Sequence, residues 1–483
     1  LFNSNFLKGV IVLSNGGAKS GTEKGFRFPN GIVILFWIIV FVAVLTYIVP
    51  AGQFERIMVN GRSVVDPDSF HYIEQTPVKA FDIFKAIPLG MNNAGALIFM
   101  ILTIGAAIQL FDSTGAIKAA IFKLLDTIGE ERKGWVIAAI MAFFAALGGF
   151  PGMLEAAIPF APLCVGIALS LGYDPLVGIA IPLVSIVVGW TAGPSNPWTV
   201  GIGHNLAELP MFSGFGFRLL IWAALLVLSI LFVVRYCKKL EKDPSSSIVA
   251  DVDFSHLESS VLHERIPFTK RHMLILLTFA ATIAFILFGT FNWKWGLFEM
   301  SGTYIIGAII GGIIAGYNSN KIAETLLEGG KAIFIGVVAV GMARGINVIM
   351  DQGNITDTLV RTIAMPLSGL PESITSIGMF IVQSIINFFI PSGSGQAMVT
   401  LPVIIPVADI IELNRQIAIL AFQFGDGLSN LCYPTVGALV AFLLYTKVPF
   451  NKWLKFIMPF MLLSWAVAAV FLLVAAAIGY GPF

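Results

Sequence analysis

Long apolar runs separated by short polar connections dominate this chain, and their lengths predict helices that cross a membrane. A helix needs about 20 mostly apolar residues to span roughly 30 Å of hydrocarbon. Seven windows approach that length as continuous spans: 30–50, 91–111, 213–234, 272–289, 301–316, 331–350 and 456–480. Two more, 174–207 and 414–446, are long enough to cross but are interrupted by Gly, Pro and Asn, which predicts broken spans. Segments 135–171 and 373–413 are too long for one crossing and carry a Gly/Pro/Ser knot at mid-length. Each suits a re-entrant hairpin that enters and leaves on one side. The expectation is an all-α polytopic membrane protein with about nine full crossings.

Composition agrees: 57% apolar against 12% charged residues is far from a soluble surface, which needs about a quarter charged. A net charge of +1 leaves no footprint for nucleic acid. Cys164, Cys237 and Cys432 show no CxxC spacing, so neither a disulfide framework nor a metal site is expected. The first apolar stretch, Gly9 to Leu13, is too short for a signal peptide, and 1–29 reads as a polar tail. With that tail inside, the inner segments 1–29, 112–134, 238–271, 317–331 and 446–455 carry 19 Lys/Arg. The outer segments 51–90, 207–218, 290–300 and 350–373 carry 7. This asymmetry predicts a cytoplasmic N-terminus and an outside C-terminus in a plasma (inner) membrane. The polar stretch 238–271 reads as a cytoplasmic linker between halves 30–237 and 272–483. Segments 116–128 and 354–367 mix charge with helical apolar spacing and suit interfacial helices.

The halves repeat one order of features. The hairpin tips are Gly148-Gly-Phe-Pro-Gly152-Met-Leu-Glu155 and Pro391-Ser-Gly-Ser-Gly395-Gln396. The broken spans follow, where Ser195-Asn196-Pro197-Trp198-Thr199 is echoed by Ser429-Asn430 and then Pro434-Thr435. Under the predicted topology the copies have opposite orientation, the inverted repeat of secondary transporters. Backbone without helical partners costs several kcal/mol in lipid, so four breaks are expected to meet at a polar cavity. Their helix N-termini favour anions, and free carbonyls with Ser, Thr and Asn oxygens favour a cation. Asn196, Thr199, Asp426, Asn430 and Thr435 are the expected ligands of a coupling ion, Na⁺ or H⁺; no cofactor is expected.

Charges within spans are costly, near 3 kcal/mol at a helix centre, and point to function or to ion pairing. Glu155 at the first tip and Asp426 before the second break are expected to bind substrate or ion. For Arg344 and Asp409 a structural ion pair is the plainer reading, Arg344 with one of the acids, and His204 suits a cap on a half-helix.

The runs Pro391-Ser-Gly-Ser-Gly-Gln-Ala397, Asn414-Arg-Gln, Leu420-Ala-Phe-Gln-Phe-Gly-Asp-Gly427 and Tyr433-Pro-Thr435 resemble YfcC-type members of the C4-dicarboxylate anaerobic carrier (DcuC-like) superfamily, a grouping that includes arginine/ornithine antiporters. The resemblance extends from about Phe28 to Tyr480. It implies an ion-transporter-type fold, with a scaffold that forms a homodimer and a transport domain that moves in elevator fashion. It places substrate binding on Gly152, Glu155, Ser195, Asn196, Ser392, Gly393, Ser394, Gly395, Gln396, Ser429, Asn430, Pro434 and Thr435. One departure is Ala156, where the related tips carry a second Glu.

These readings converge on secondary active transport of small carboxylated metabolites, most readily amino acids and among them basic ones, by exchange or ion coupling. C4-dicarboxylate transport is the alternative. An intramembrane enzyme or receptor ranks below both, because GxxxxGK[ST], HExxH and GxSxG are all missing.

Overall fold

The computed structural model describes residues 31–481 apart from 60–61, 67, 118, 121–122, 124–132, 261–265, 294 and 365–371. The expected tail 1–29 and most of the expected amphipathic helix 116–128 lie outside the described residues. The first half holds α1 (Gly31–Ile48), α2 (Ala80–Asn93), α3 (Gly95–Ser113), α4 (Lys133–Gly149), α5 (Ala161–Ser170), α6 (Pro175–Ala192), α7 (Val200–Leu206) and α8 (Phe215–Lys242). The second holds α9 (Lys270–Trp293), α10 (Leu297–Ala315), α11 (Ser319–Gln352), α12 (Thr356–Ala364), α13 (Glu372–Phe389), α14 (Gly393–Ile410), α15 (Arg415–Ser429), α16 (Gly437–Thr446) and α17 (Phe450–Ala477). Among the described residues seven helices, α1, α3, α6, α8, α10, α11 and α17, are long and apolar enough to cross a membrane.

All four expected interruptions are present. The 135–171 segment is α4, a break at 150–153, a 3₁₀ stretch Leu154–Phe160 and α5. The 373–413 segment is α13, a break at 390–392 and α14. α6 and α7 flank a break at 193–199, and α15 and α16 flank one at 430–436. Local chemistry sets these ends. Asp174 caps α6, accepting Val177 N at 3.2 Å with Pro175 in the first turn. The helix stops at Gly193, whose φ of 42° suits glycine.

The sequence reading missed two features. Segment 51–79 is not a plain loop: it contains β1 (Gly52–Gln53) paired antiparallel with β4 (His71–Tyr72), and β2 (Arg56–Val59) paired with β3 (Arg62–Val65). Helix α2 precedes the expected span 91–111, packed on α11 where Gly90 lies against the backbone of Gly341 and Gly345. The expected interfacial helix near 354–367 is α12, and it does not lie free. Asp357 on it is bonded by Arg56 at 3.0 Å and by Phe54 N at 3.0 Å.

Burial separates core from periphery. Every residue of α6 is buried, as for a helix apolar all round. α1, α8, α10 and α17 turn Trp37, Leu231, Ile313 and Leu462 outward, the surface a hydrocarbon solvent requires. Packing forms two groups that meet at one seam: α1, α2, α3 and α10 gather around or beside α11, while α4 packs on α6, α13 on α15, and α6 on α15, and α16 packs on α11 between them.

The connections also gather at two ends. At one, Gly52 N donates to Asn354 O, Arg415 bonds Asp409 and Glu208, and Tyr480 donates to Gly214 O. At the other, Tyr236 and Ser247 donate to Asp174, Tyr317 donates to Ser113 O, and Lys452 pairs with Asp251 at 2.8 Å. The Lys452 hydrogen bond holds the Asp251 carboxyl below its ordinary range. α6 starts at the second end and α15 at the first, so the two central helices enter from opposite ends.

Cysteine labelling checks this arrangement. With the three native cysteines replaced, Glu74→Cys and Ser255→Cys should react with an impermeant maleimide from opposite faces of the membrane. Reaction of both from one face would break it.

Candidate functional site

The four breaks meet, and their exposed backbone is satisfied by side chains of the neighbouring segments. Ser195 N donates to Gly149 O at 3.3 Å, joining the first tip to the first broken helix. In the second half Asn387 Nδ2 donates to Asp426 O, Ser429 Oγ and Asn430 Oδ1 at 3.0, 2.7 and 2.9 Å. Trp453 Nε1 donates to Leu431 O at 2.8 Å. Across the halves, Gln423 Nε2 donates to Trp190 O at 2.9 Å and to Thr199 Oγ1 at 3.3 Å. An orphaned buried polar group costs roughly 1–3 kcal/mol, so these bonds decide whether the breaks can exist.

Between the breaks and the group around α11 lies a cavity of about 300 Å³. From the breaks come Gly152, Glu155, Trp190, Trp198, Ser392, Gly393, Ser394, Asn430 and Thr435. The opposite wall is Asn93, Leu97 and Met100 beside Leu297, Met300, Val340 and Arg344. Pro391–Ser394 and Thr435–Ala438 are lining residues, so α14 and α16 both begin at this cavity, with amide donors and the positive ends of their dipoles. Among the described residues neither the Glu155 nor the Arg344 side chain has an ion pair. One acid and one guanidinium therefore face a shared cavity from its two walls.

Of the expected site residues, Gly152, Glu155, Ser392, Gly393, Ser394, Asn430 and Thr435 reach the wall. Ser195, Asn196, Gly395, Gln396, Ser429 and Pro434 are not among the lining residues. Asn196 is fully buried behind Gly152; its Oδ1 accepts Trp198 N at 2.9 Å, and its Nδ2 has no partner. Gly152 has φ +67°, and a Cβ there would strike the Asn196 amide, so both backbone and space call for glycine. Gln396 Nε2 donates to Gln383 Oε1 at 2.7 Å within the second hairpin, and Ser429 returns its hydroxyl to Gly425 O at 2.6 Å.

The expected ion ligands divide in the same way. Among the described residues Thr435 Oγ1 is buried without a partner, whereas Thr199 and Asn430 already accept from Gln423 and Asn387. Asp426 is 1% exposed and accepts Trp190 Nε1 at 2.6 Å. No cluster of three or more His, Cys, Asp or Glu able to hold a metal occurs among the described residues.

Three charged or polar positions depart from expectation. Asp409 forms an ion pair as expected, but at the surface and not within a span: it takes Arg415 in a two-pronged bond, both contacts at 2.9 Å. Arg218 belonged by sequence to an outer segment, yet it is wholly buried in the first turn of α8 and donates through Nη1 to Gln423 Oε1. Its place five residues inside an apolar window was the one available signal. His204 stands in the last turn of α7 with Nε2 on Gln416 Oε1 at 3.2 Å, away from the cavity.

Residues 28–477 match the family model described as C4-dicarboxylate anaerobic carrier. The chain is similar to the Escherichia coli (strain K12) protein named "Putative basic amino acid antiporter YfcC", 29% identical across 96% of this chain and 99% of that one. An uncharacterized protein of Haemophilus influenzae is 27% identical over 91% of this chain and 95% of its own. Among solved structures the Alcanivorax borkumensis YdaH transporter has a TM-score of 0.44 at 16% identity, covering 94% of this chain and 100% of its own. Neisseria gonorrhoeae MtrF has a TM-score of 0.44 at 17% identity, covering 98% of each chain.

The second tip distinguishes its two glycines. A Cβ on Gly393 would lie 2.6 Å from the Trp190 ring and 2.8 Å from Thr199, whereas at Gly395 the nearest atom, Ser392 Oγ, would lie 3.2 Å away. Gly393→Ala should cut substrate uptake by about tenfold or more, the equivalent of roughly 1.4 kcal/mol. Gly395→Ala should transport within about twofold of the parent. Equal effects of the two would mean that the tip is not seated against Trp190.

Proposed function

Because the chain belongs to the C4-dicarboxylate anaerobic carrier family, whose members are membrane transporters and not enzymes, we propose that it is a secondary active exchanger of amino acids, basic ones foremost. The observation that carries this reading is the unpaired Glu155 and Arg344 on facing walls of one cavity. A free amino acid has both charges. Arg344, helped by the starts of α14 and α16, would take the α-carboxylate in a charge-assisted bond, and Glu155 would take an ammonium or guanidinium. A cavity of about 300 Å³ suits a ligand of that size. The relative named for basic amino acid antiport supports the same choice.

Movement follows from where the two charges sit. Glu155 belongs with the breaks, and Arg344 with the packing group of α11. A substrate that bridges them would load a transport unit of α4–α7 and α13–α16 against a scaffold, in elevator-type alternating access. The twofold order of hairpin and broken helix, entered from opposite ends, favours an inverted repeat with 135–171 and 373–413 re-entrant. The excess of Lys and Arg on one set of loops favours a cytoplasmic N-terminus in the inner membrane. A homodimer through the scaffold completes the proposal.

C4-dicarboxylate transport is the second reading, favoured by the two helix N-termini at the cavity. Glu155 opposes it, since a second carboxylate in the ligand would meet a like charge.

Counterflow in proteoliposomes separates the two. Arginine or ornithine inside should drive uptake of labelled arginine, and succinate should not. Glu155→Gln should lower apparent affinity for basic amino acids by about ten- to a hundredfold, the cost of one charge-assisted bond. Arg344→Gln should weaken every ligand that has an α-carboxylate. Succinate counterflow with none for amino acids would favour the second reading.

A further inference from the structure

Asp426 is a carboxylate that neither the cavity wall nor any ion pair uses. It lies near the end of α15, buried, and among the described residues its one hydrogen-bond donor is Trp190 Nε1 at 2.6 Å from Oδ2. Asp174, the half-buried aspartate that caps α6, collects Val177 N and the hydroxyls of Tyr236 and Ser247. An ionised carboxylate away from water requires such donors or a cation. Asp426 has neither.

The charged groups on surrounding elements lie elsewhere. α6 carries none. The acids of α13 and α14, Glu372 and Asp409, stand at the far ends of those helices, Asp409 on Arg415. His204 of α7 is on Gln416 and Arg218 of α8 is on Gln423. Lys452 and Lys455 are in the opening turns of α17, Lys452 on Asp251. What remains is the cavity, with Glu155 and Arg344. It is reached through Gly393, where a Cβ would lie 3.0 Å from Asp426 Oδ2, and through Trp190, which lines the cavity.

We propose that Asp426 binds a proton, and that this proton is exchanged for the extra positive charge of a basic amino acid. The coupling rests on the reading of the cavity given above; the proton site does not. With Glu155 ionised, Arg344 charged and Asp426 protonated, the empty site is neutral. A basic amino acid adds one carboxylate and two cationic groups. Held beside a protonated Asp426, it would leave one uncompensated charge in a region of low dielectric. Breaking the Oδ1–H bond, with the electron pair kept on the carboxylate and the proton passed to water on the open side, restores neutrality. One proton leaves per substrate bound, while Oδ2 keeps its bond from Trp190 throughout. A neutral amino acid displaces no proton.

Infrared difference spectra of the protein in lipid vesicles test this with no ligand present. A protonated-carboxyl carbonyl band should appear as pH falls through the neutral range, vanish in Asp426→Asn and persist in Asp409→Asn. A band that survives in Asp426→Asn overturns the proposal. Adding arginine should then lower the pH midpoint of the band by about one unit or more, a tenfold loss of proton affinity. Citrulline, its neutral analogue, should leave the midpoint unchanged. Arginine that raises the melting temperature yet leaves the band in place overturns the exchange. If arginine does not bind at all, the amino-acid reading of the cavity falls, and the ligand-free spectra still decide whether Asp426 holds a proton.

Discussion

Inside a hydrocarbon layer a peptide group has no water to turn to, and this constraint governs the centre of the molecule. Every helix interruption exposes carbonyls and amides that must find partners within the protein. The solution is to use long polar side chains as substitute backbone. Asn387 fills the gap at Asp426, Ser429 and Asn430, Trp453 covers Leu431, and Gln423 reaches across to Trp190. These side chains are buried, and they come from neighbouring helices and not from the breaks themselves. The position of the cavity follows from that arrangement, because it is the space left where four breaks are stitched side by side.

Features set by local chemistry were legible in the sequence. Gly, Pro and Asn clusters mark a break wherever they interrupt an apolar run, and all four interruptions lie where those clusters predict. Glu155, Ser392, Gly393 and Ser394 reach the cavity because they belong to the breaks. The opposite wall was hidden, since Asn93, Leu97, Met300 and Val340 come from helices whose apolar pattern does not distinguish a lipid face from a cavity face. Arg218 was hidden for a related reason. A cation near the end of an apolar window resembles an anchoring residue, and its burial rests on Gln423 and Tyr480, both distant in sequence. Asp409 failed in the other direction: its apolar surroundings in sequence suggested burial, while Arg415, six residues on, holds it at the surface. The β ribbons of 52–72 are short, and their register depends on pairing that a hydropathy pattern does not specify.

Tight packing and polar stitching divide the labour at the core. Gly148 and Gly189 let α4 and α6 come into backbone contact, and Gly425 does the same for α13 and α15. Such contacts bind α4 to α6 and α13 to α15 along their backbones. Across the cavity walls such close contact is confined to one edge, where Gly437 of α16 lies against Val340 of α11.

The bond between Trp190 and Asp426 joins places that do not correspond in the two copies. Aligning Ser195-Asn196 with Ser429-Asn430 sets Asp426 against Ala192 and Trp190 against Phe424, and the mirror-image position therefore holds an alanine and a phenylalanine. In the repeat proposed above the order of elements recurs, but this acid does not. Grafting one half's sequence onto the other would either delete this carboxylate or double it. The ancestry of the fold can thus be symmetrical while its charge is handed, with one copy supplying the acid and the other the indole that holds it.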